Sequence, residues 1–461
     1  MRPRDGIATV LLLVTRLAHG AVTPQEAEAL HGRLTPVGAE RAGNAAGTIP
    51  PWTGGMTAPR SRSTSATGAA PGAAPGVAIT PDPFAGDQPV LTINGSNVQR
   101  YAAALPEGAL ALFHRFPDYE MRVFTTQRTA ALPQAVYDAI ARNATRAHAT
   151  PSGIAYGVAG AAGGVPFPIP SNGAEIVWNH LLAFWGVARE DHVSTYVAPG
   201  DGTIEQTAAY RETTDFPFYA PGATPETVGP YYFKTRRLQD APPSRVGEGY
   251  LAWQPLDVAA DRFVAWRYLP GEHRARKAPS LSYDTPDPDT SGYESLDDYY
   301  LFFGGQDRYV FRLLGKRELY VPYNNNRLAL HGALEAMTPA HANQDALRYE
   351  LHRVWVVEGT LAPGMHHVAP RRRLYVDEDT WLAVYSEAWD EDGRLWKFGE
   401  ATMMVLPDLP AVIGGSHFIY DLIQGGYCYD FVFSPPGEYR VTGMHPADTF
   451  SAEALAADSL R

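Results

Sequence analysis

The chain has 461 residues, 45% of them hydrophobic, which is enough for one large core or two ordinary ones. Its formal net charge of −12 lacks the basic excess of a phosphate-binding surface and argues against nucleic acid as a partner. A single cysteine, Cys428, excludes an intramolecular disulfide and reads as a small buried hydrophobe.

The first twenty residues carry Arg2 and Arg4, an apolar stretch from Gly6 to Val14, and small residues Ala18 and Gly20 ahead of Ala21. That order is the layout of an export signal, and the apolar stretch is too short to span a bilayer. A buried N-terminal helix would use the same letters. No cysteine stands near the cleavage point, so the expected product is periplasmic and not lipidated. Residues 21–57 include LTPVGAERAGNAAGTIPPWTGG, rich in Gly and Pro, and read as an extended arm. Residues 58–83 collapse to Ala, Gly, Pro, Ser and Thr and read as a flexible segment with nothing to bury. Residues 84–461 are expected to form one domain.

Ordered structure resumes near Asn94. GSNVQRYAAALPEGALALFHRF reads as two short helices broken at Pro106, and PQAVYDAIARNATRA places Val136, Ile140 and Ala144 on one helical face. A further helix starts after Ser171, where Asn172 and Glu175 have capping-box spacing. From Asp191 strands dominate: HVSTYVA, TIEQTAAYRET, YYFKTRRL, GYLAWQPLD, FVAWRYLP, HRARKAP and DRYVFRLLGKRELYVPY. Between Leu347 and Thr402 four strands follow one another through turns at Pro363-Gly364, Asp377-Glu378-Asp379 and Asp390-Glu391-Asp392-Gly393. About a dozen antiparallel strands with few helices predict a mainly β, α+β fold: one large curled antiparallel sheet wrapped around the helices. Along TWLAVYSEAW, Trp381, Ala383, Tyr385 and Trp389 share one face with Glu387, while Leu382, Val384 and Ala388 share the other. A sheet apolar on both faces must cover a core with one and meet helices, a partner or a ligand with the other.

GGVPFPIPSNGAEIVWNHLL, RYLPGEHRARKAPSLSYDTP, DRYVFRLLGKRELYVPYNN and YVDEDTWLAVYSEAWDEDGRLWK, with the arm, resemble a bacterial family known as domain of unknown function 1329, labelled outer-membrane lipoprotein-sorting-like. The resemblance covers nearly the whole mature chain. It implies a fold similar to the lipoprotein localisation proteins LolA and LolB, a half-barrel of antiparallel strands around helices with an apolar cavity. It also implies envelope transport, with an inner-membrane efflux-type transporter and an outer-membrane protein as partners. The tract after Pro59 is longer than the family's usual spacer.

A carrier of lipid or another hydrophobic small molecule needs a concave apolar surface, because each methylene removed from water contributes roughly 0.8 kcal/mol. Trp253, Trp266, Tyr268, Trp355, Trp381, Tyr385 and Trp389 are the candidates for it, and equally the makings of an ordinary core. Arg274, Arg276, Arg353 and Arg372 are candidates for a rim that pairs with an anionic headgroup; the same basic residues, Lys277, Arg371 and Arg373 included, would also serve as solvated faces. Glu350, Arg353 and Glu358 are expected in cross-strand ion pairs. The sequence assigns no catalytic residue, metal or cofactor. His366 and His367 are adjacent on a strand and point apart, and the acids of 377–379 suit a tight turn. Gly414-Gly415-Ser416-His417 lacks the closing Gly of a nucleophile elbow, and the glycines from Gly157 to Gly164 run into VPFPIP rather than a phosphate-binding helix. The function expected is therefore a non-enzymatic periplasmic carrier. An envelope hydrolase acting on lipid or glycan, and an adaptor of a transporter, are the alternatives.

Overall fold

A computed structural model describes residues 21–57, 79, 81–152, 155–261, 263–278, 283–436 and 439–459. The export signal of 1–20 and nearly all of the flexible segment lie outside the described residues.

Two antiparallel meanders make the sheet. The first comprises β5 (Ala188–Ala198), β6 (Glu205–Asp215), β7 (Tyr231–Ala241), β8 (Gly249–Pro255), β9 (Val264–Leu269) and β10 (Arg274–Lys277). The second comprises β11 (Tyr309–Pro322), β12 (Tyr349–Leu361), β13 (Arg371–Asp377), β14 (Ala383–Trp389), β15 (Leu395–Leu406), β16 (Ala411–Asp421) and β17 (Tyr427–Phe433). They fuse where β17 pairs antiparallel with β5, so the spatial order runs from β11 through β17, then from β5 to β10. β1 (Leu91–Asn94) and β2 (Glu120–Val123) extend the edge at β12, and β18 (Arg440–Thr442) adds to β5. β3 (His148–Ser152) and β4 (Ala155–Ala159) form a separate hairpin. The sixteen-stranded sheet stays open, a half-barrel, because β10 pairs only with β9 among the described residues.

Helices cover the sheet. Gly173–Leu181, capped by Asn172, whose side chain accepts from Glu175 N, packs on β11 and β12. Glu107–Arg115 lies on β15, and its start after Pro106 is the break read in the sequence. The arm is not extended throughout. It begins with a short helix, Pro24–Ala27, closed by a capping box of Thr23 and Glu26, and then buries Leu34, Val37 and Ala39. Val37 fixes the arm to the sheet by accepting from Trp381 Nε1 at 2.9 Å.

The strands read between Asp191 and Thr402 are all present, but β16 and β17 and the C-terminal helix Ala452–Ser459 extend the structure beyond them. Six of the seven β14 residues are buried, so both of its faces are covered by the chain itself. Trp381 sits just outside that strand, at φ 62°, because the turn from Asp377 closes through Trp381 N to Asp377 O.

Candidate functional site

Strand alternation divides β7, β8 and β9 into two unlike faces. One carries Lys234, Arg236 and Leu238 from β7, Leu251 and Trp253 from β8, and Trp266 and Tyr268 from β9. The helix Ala452–Ser459 covers it, with Leu455 packed among Leu238, Leu251 and Tyr268, and Asp458 paired to Arg236 at 2.6 Å. The opposite face carries Phe233, Thr235, Arg237 and Gln239, then Tyr250, Ala252 and Gln254, then Arg267. Register confirms it: Thr235 stands opposite Ala252, Arg237 opposite Tyr250, and Tyr250 opposite Arg267.

An irregular excursion, residues 283–303, lies over this second face. It is stitched to itself by Asp287 N to Glu294 O at 2.9 Å and Leu296 N to Thr285 O at 3.0 Å. Ion pairs then fasten it to the strands. Asp289 meets Arg245 at 2.6 Å, and Glu294 meets His417 Nε2 at 2.9 Å and accepts from the Cys428 thiol at 3.2 Å. Asp297 pairs with Arg372 at 2.8 Å and His367 at 3.1 Å; Asp298 pairs with Arg372 at 3.1 Å and Lys397 at 2.8 Å. Burial alone would raise the Asp298 carboxyl, but Lys397 and Arg372 more than offset this and hold it below the usual carboxylate range.

Between excursion and sheet lies a cavity of two contiguous lobes sharing Arg237, Tyr250, Asp287 and Leu296. The aromatic lobe is walled by Phe233, Phe263, Tyr283, Tyr299 and Phe303 around Ala252. The polar lobe is walled by Arg245, Arg267, Glu248 and Asp289. Arg267 is 52% exposed and marks the mouth. At the junction Arg237 pairs with Glu212 at 2.5 Å and is clasped between the rings of Tyr210 and Tyr299, each 4.6 Å from its guanidinium carbon. Burial, then the Asp289 charge, pushes the Asp287 carboxyl well above its ordinary range.

None of the seven aromatics marked in the sequence lines these lobes. Trp253, Trp266 and Tyr268 lie beneath the C-terminal helix. Trp355 stacks on Trp381 at 6.1 Å, Tyr385 donates to Tyr320 O at 2.8 Å, and Trp389 is covered by the Arg371 guanidinium at 3.9 Å. The four arginines also separate. Arg274 and Arg276 are exposed on the edge strand β10, with Arg276 paired to Glu272. Arg353 is buried against Glu378 at 3.3 Å, and Arg372 fastens the excursion. Glu358 makes cross-strand pairs with Arg312 and Arg373, and Arg353 approaches its β11 partner Glu318 at 3.8 Å, whereas Glu350 pairs with Arg348 along its own strand.

Residues 92–456 match the family described as "Protein of unknown function (DUF1329)". The chain belongs to that family. It is 35% identical over 446 residues to "Uncharacterized protein PA3922" of Pseudomonas aeruginosa, covering 93% of this chain and 94% of that one. Among solved structures it is similar to a DUF1329 family protein from Desulfovibrio piger, at 14% identity and a TM-score of 0.41, over 59% of this chain and 92% of the other. It is also similar to LolA superfamily protein NE2245 from Nitrosomonas europaea, at 13% identity and a TM-score of 0.38, over 62% and 99%. The half-barrel assignment stands on the strand order described above.

For this DUF1329 chain, the cavity residues the sequence reading missed were within its reach. YYFKTRRLQ alternates, so Phe233, Thr235, Arg237 and Gln239 share a face by period alone. Among the described residues two buried groups have donor sets that could hold a metal: Glu294 of the excursion with His417 and Asp430, and His352, Asp377 and Asp379 by the β13–β14 turn.

Proposed function

We propose that the protein binds an amphipathic molecule in the cavity beneath residues 283–303 and carries it through the cell envelope without transforming it. The single observation behind this reading is the polarity of that cavity: rings in one lobe, arginines in the other. An apolar chain enters the aromatic lobe and its polar end stays at Arg245 and Arg267. Transfer is then an equilibrium between membrane and cavity, driven by roughly 0.8 kcal/mol per methylene shielded. The family fold and its lipoprotein-sorting-like label agree with this role, as would a transporter and an outer-membrane protein acting on either side.

In this reading the chain is periplasmic, with its mature end near Ala21. No helix among the described residues is long and apolar enough to cross a membrane. N-terminal sequencing of the exported protein checks the cleavage, and a cytoplasmic product that keeps Met1 overturns it. The carrier reading itself is tested by solvent extraction of the purified protein with mass spectrometry, and by displacement of a fluorescent fatty acid. Ala252→Trp fills the aromatic lobe and is expected to abolish both signals while circular dichroism stays unchanged. Full retention of ligand by folded Ala252→Trp would overturn the assignment of the cavity.

A further inference from the structure

The second buried group lies apart from the cavity and stands on its own geometry. His352 projects from β12, and Asp377 and Asp379 come from the turn that follows β13. One donor atom of each lies within 4.8 Å of the other two, and all three residues are buried. His352 Nε2 faces Glu350 Oε2 at 3.2 Å, so the ring's other nitrogen, Nδ1, is the one turned toward the two aspartates. Nδ1 in turn faces Asp377 Oδ1 at 3.6 Å, too far for a hydrogen bond. Asp377 Oδ2 is satisfied by Thr380, from N at 2.9 Å and from Oγ1 at 2.8 Å, but its Oδ1 is buried with no hydrogen-bond partner. The Tyr323 ring stacks on His352 at 3.9 Å, and its buried hydroxyl also lacks a partner. Arg128 grips Asp379 through two bonds, of 2.7 and 2.8 Å, and fixes its orientation.

The buried Asp377 Oδ1, without a hydrogen-bond partner, and His352 Nδ1 thus face one gap, which a cation held between them would fill. Two ligands of a tetrahedral ion with bonds of about 2.0–2.1 Å are about 3.3–3.4 Å apart, close to the separation of Nδ1 and Oδ1. A hydrogen bond from the far ring nitrogen to a carboxylate is the usual support of a metal-bound histidine. We propose that His352, Asp377 and Asp379 bind one divalent transition-metal ion, with Glu350 as the outer partner of His352. Imidazole with carboxylates suits zinc and its first-row neighbours. The ion would join β12 to the β13–β14 turn and, through Arg128, to the segment that supports the N-terminal arm.

Tag-free protein stripped with a chelator and titrated calorimetrically with Zn²⁺ is expected to bind one ion per chain. His352→Gln and Asp377→Asn should each weaken binding by at least about tenfold, and Glu350→Gln by about 10- to 100-fold, as outer partners do. A site of this kind holds Zn²⁺ more tightly than Mn²⁺ or Fe²⁺, so zinc is the sufficient probe. Absence of saturable binding by the folded wild-type chain overturns the proposal and leaves a shared proton as the occupant of the gap. Undiminished binding by both folded ligand variants overturns it equally. Where a variant loses its fold, Co²⁺ added to the wild type decides: intense low-coordinate visible bands support the site, and the spectrum of the aquo ion alone overturns it.

Discussion

Glu400 offers a test of how the core of this sheet is balanced. It sits on β15 with no exposed surface, opposite Tyr385 on β14 and Phe418 on β16. One carboxyl oxygen accepts from Tyr349 Oη at 3.0 Å; the other has no hydrogen-bond partner. Burial raises this carboxyl from 4.5 to about 8, against the smaller opposing effect of the Tyr349 hydrogen bond. The folded chain thus keeps a proton that the unfolded chain releases. Since the folded value is the higher one, the stabilisation is fully present below the unfolded value and is lost as pH rises through the folded value. At about 1.36 kcal/mol per unit, the interval from 4.5 to about 8 amounts to about 5 kcal/mol. Glu400→Gln keeps the shape and an acceptor for Tyr349 but cannot ionise. Its stability relative to the wild type should be nearly equal at pH 4, higher by roughly 3 kcal/mol at pH 7, and higher by about 5 kcal/mol above pH 8.5. Urea midpoints of both proteins at these pH values measure the difference. A gap between them that does not change with pH would refute the reasoning.

Trp253→Leu alters only the face beneath the C-terminal helix and should leave fatty-acid displacement within about twofold of wild type, while Ala252→Trp one residue away abolishes it; equal loss in both would place the ligand elsewhere. Arg372→Met leaves Asp297 and Asp298 short of a buried partner and should cost about 3–5 kcal/mol, with faster amide exchange across residues 283–303 than in the rest of the sheet. Uniform exchange changes would mean that the excursion is not fastened there. Trp381→Ala removes a buried ring and its bond to Val37, so a loss of about 3–5 kcal/mol in urea and faster proteolysis of residues 21–57 are expected; a stable variant with a protected arm would contradict the docking role.

Most of the strand plan was legible because a half-covered antiparallel strand alternates. The period failed where it had to fail. Every β17 residue is buried, as is every β16 residue except the last, so neither shows a polar face to betray its strand character. Gly414 and Gly415 further disguised β16 as a loop. At Gly414 the cause is packing: a Cβ there would lie 2.5 Å from Trp185 Cη2. The acids of 377–379 do make a turn, as their chemistry suggests, but Asp377 and Glu378 are as buried as core leucines. Glu378 and Asp379 are met there by Arg128, Lys316 and Arg353, and Asp377 by His352, all contributed from well-separated parts of the chain. Local turn propensity carries no trace of such partners.

The two faces of β7 to β9 show where sequence reasoning stops. Alternation correctly sorts Trp253 from Ala252, yet it is symmetric between the two sides of a sheet, and the richer aromatic side was the natural choice for a cavity. Which side is filled depends on two segments with weak periodic signatures. AEALAADS forms a short C-terminal helix whose Leu455 completes a small core with Leu238, Leu251 and Tyr268, so that side is filled. Residues 283–303 have little regular structure and are held by acids to Arg245, His417, Arg372 and Lys397, at points spread over both meanders. The end of the segment packs tightly, with Tyr300, Leu301 and Phe302 buried in the main core, and the cavity lies between the rest of it and the sheet. Trp253, Trp266 and Tyr268 lie on the side the chain fills for itself, and the row of Thr235, Arg237, Tyr250 and Ala252 faces the cavity.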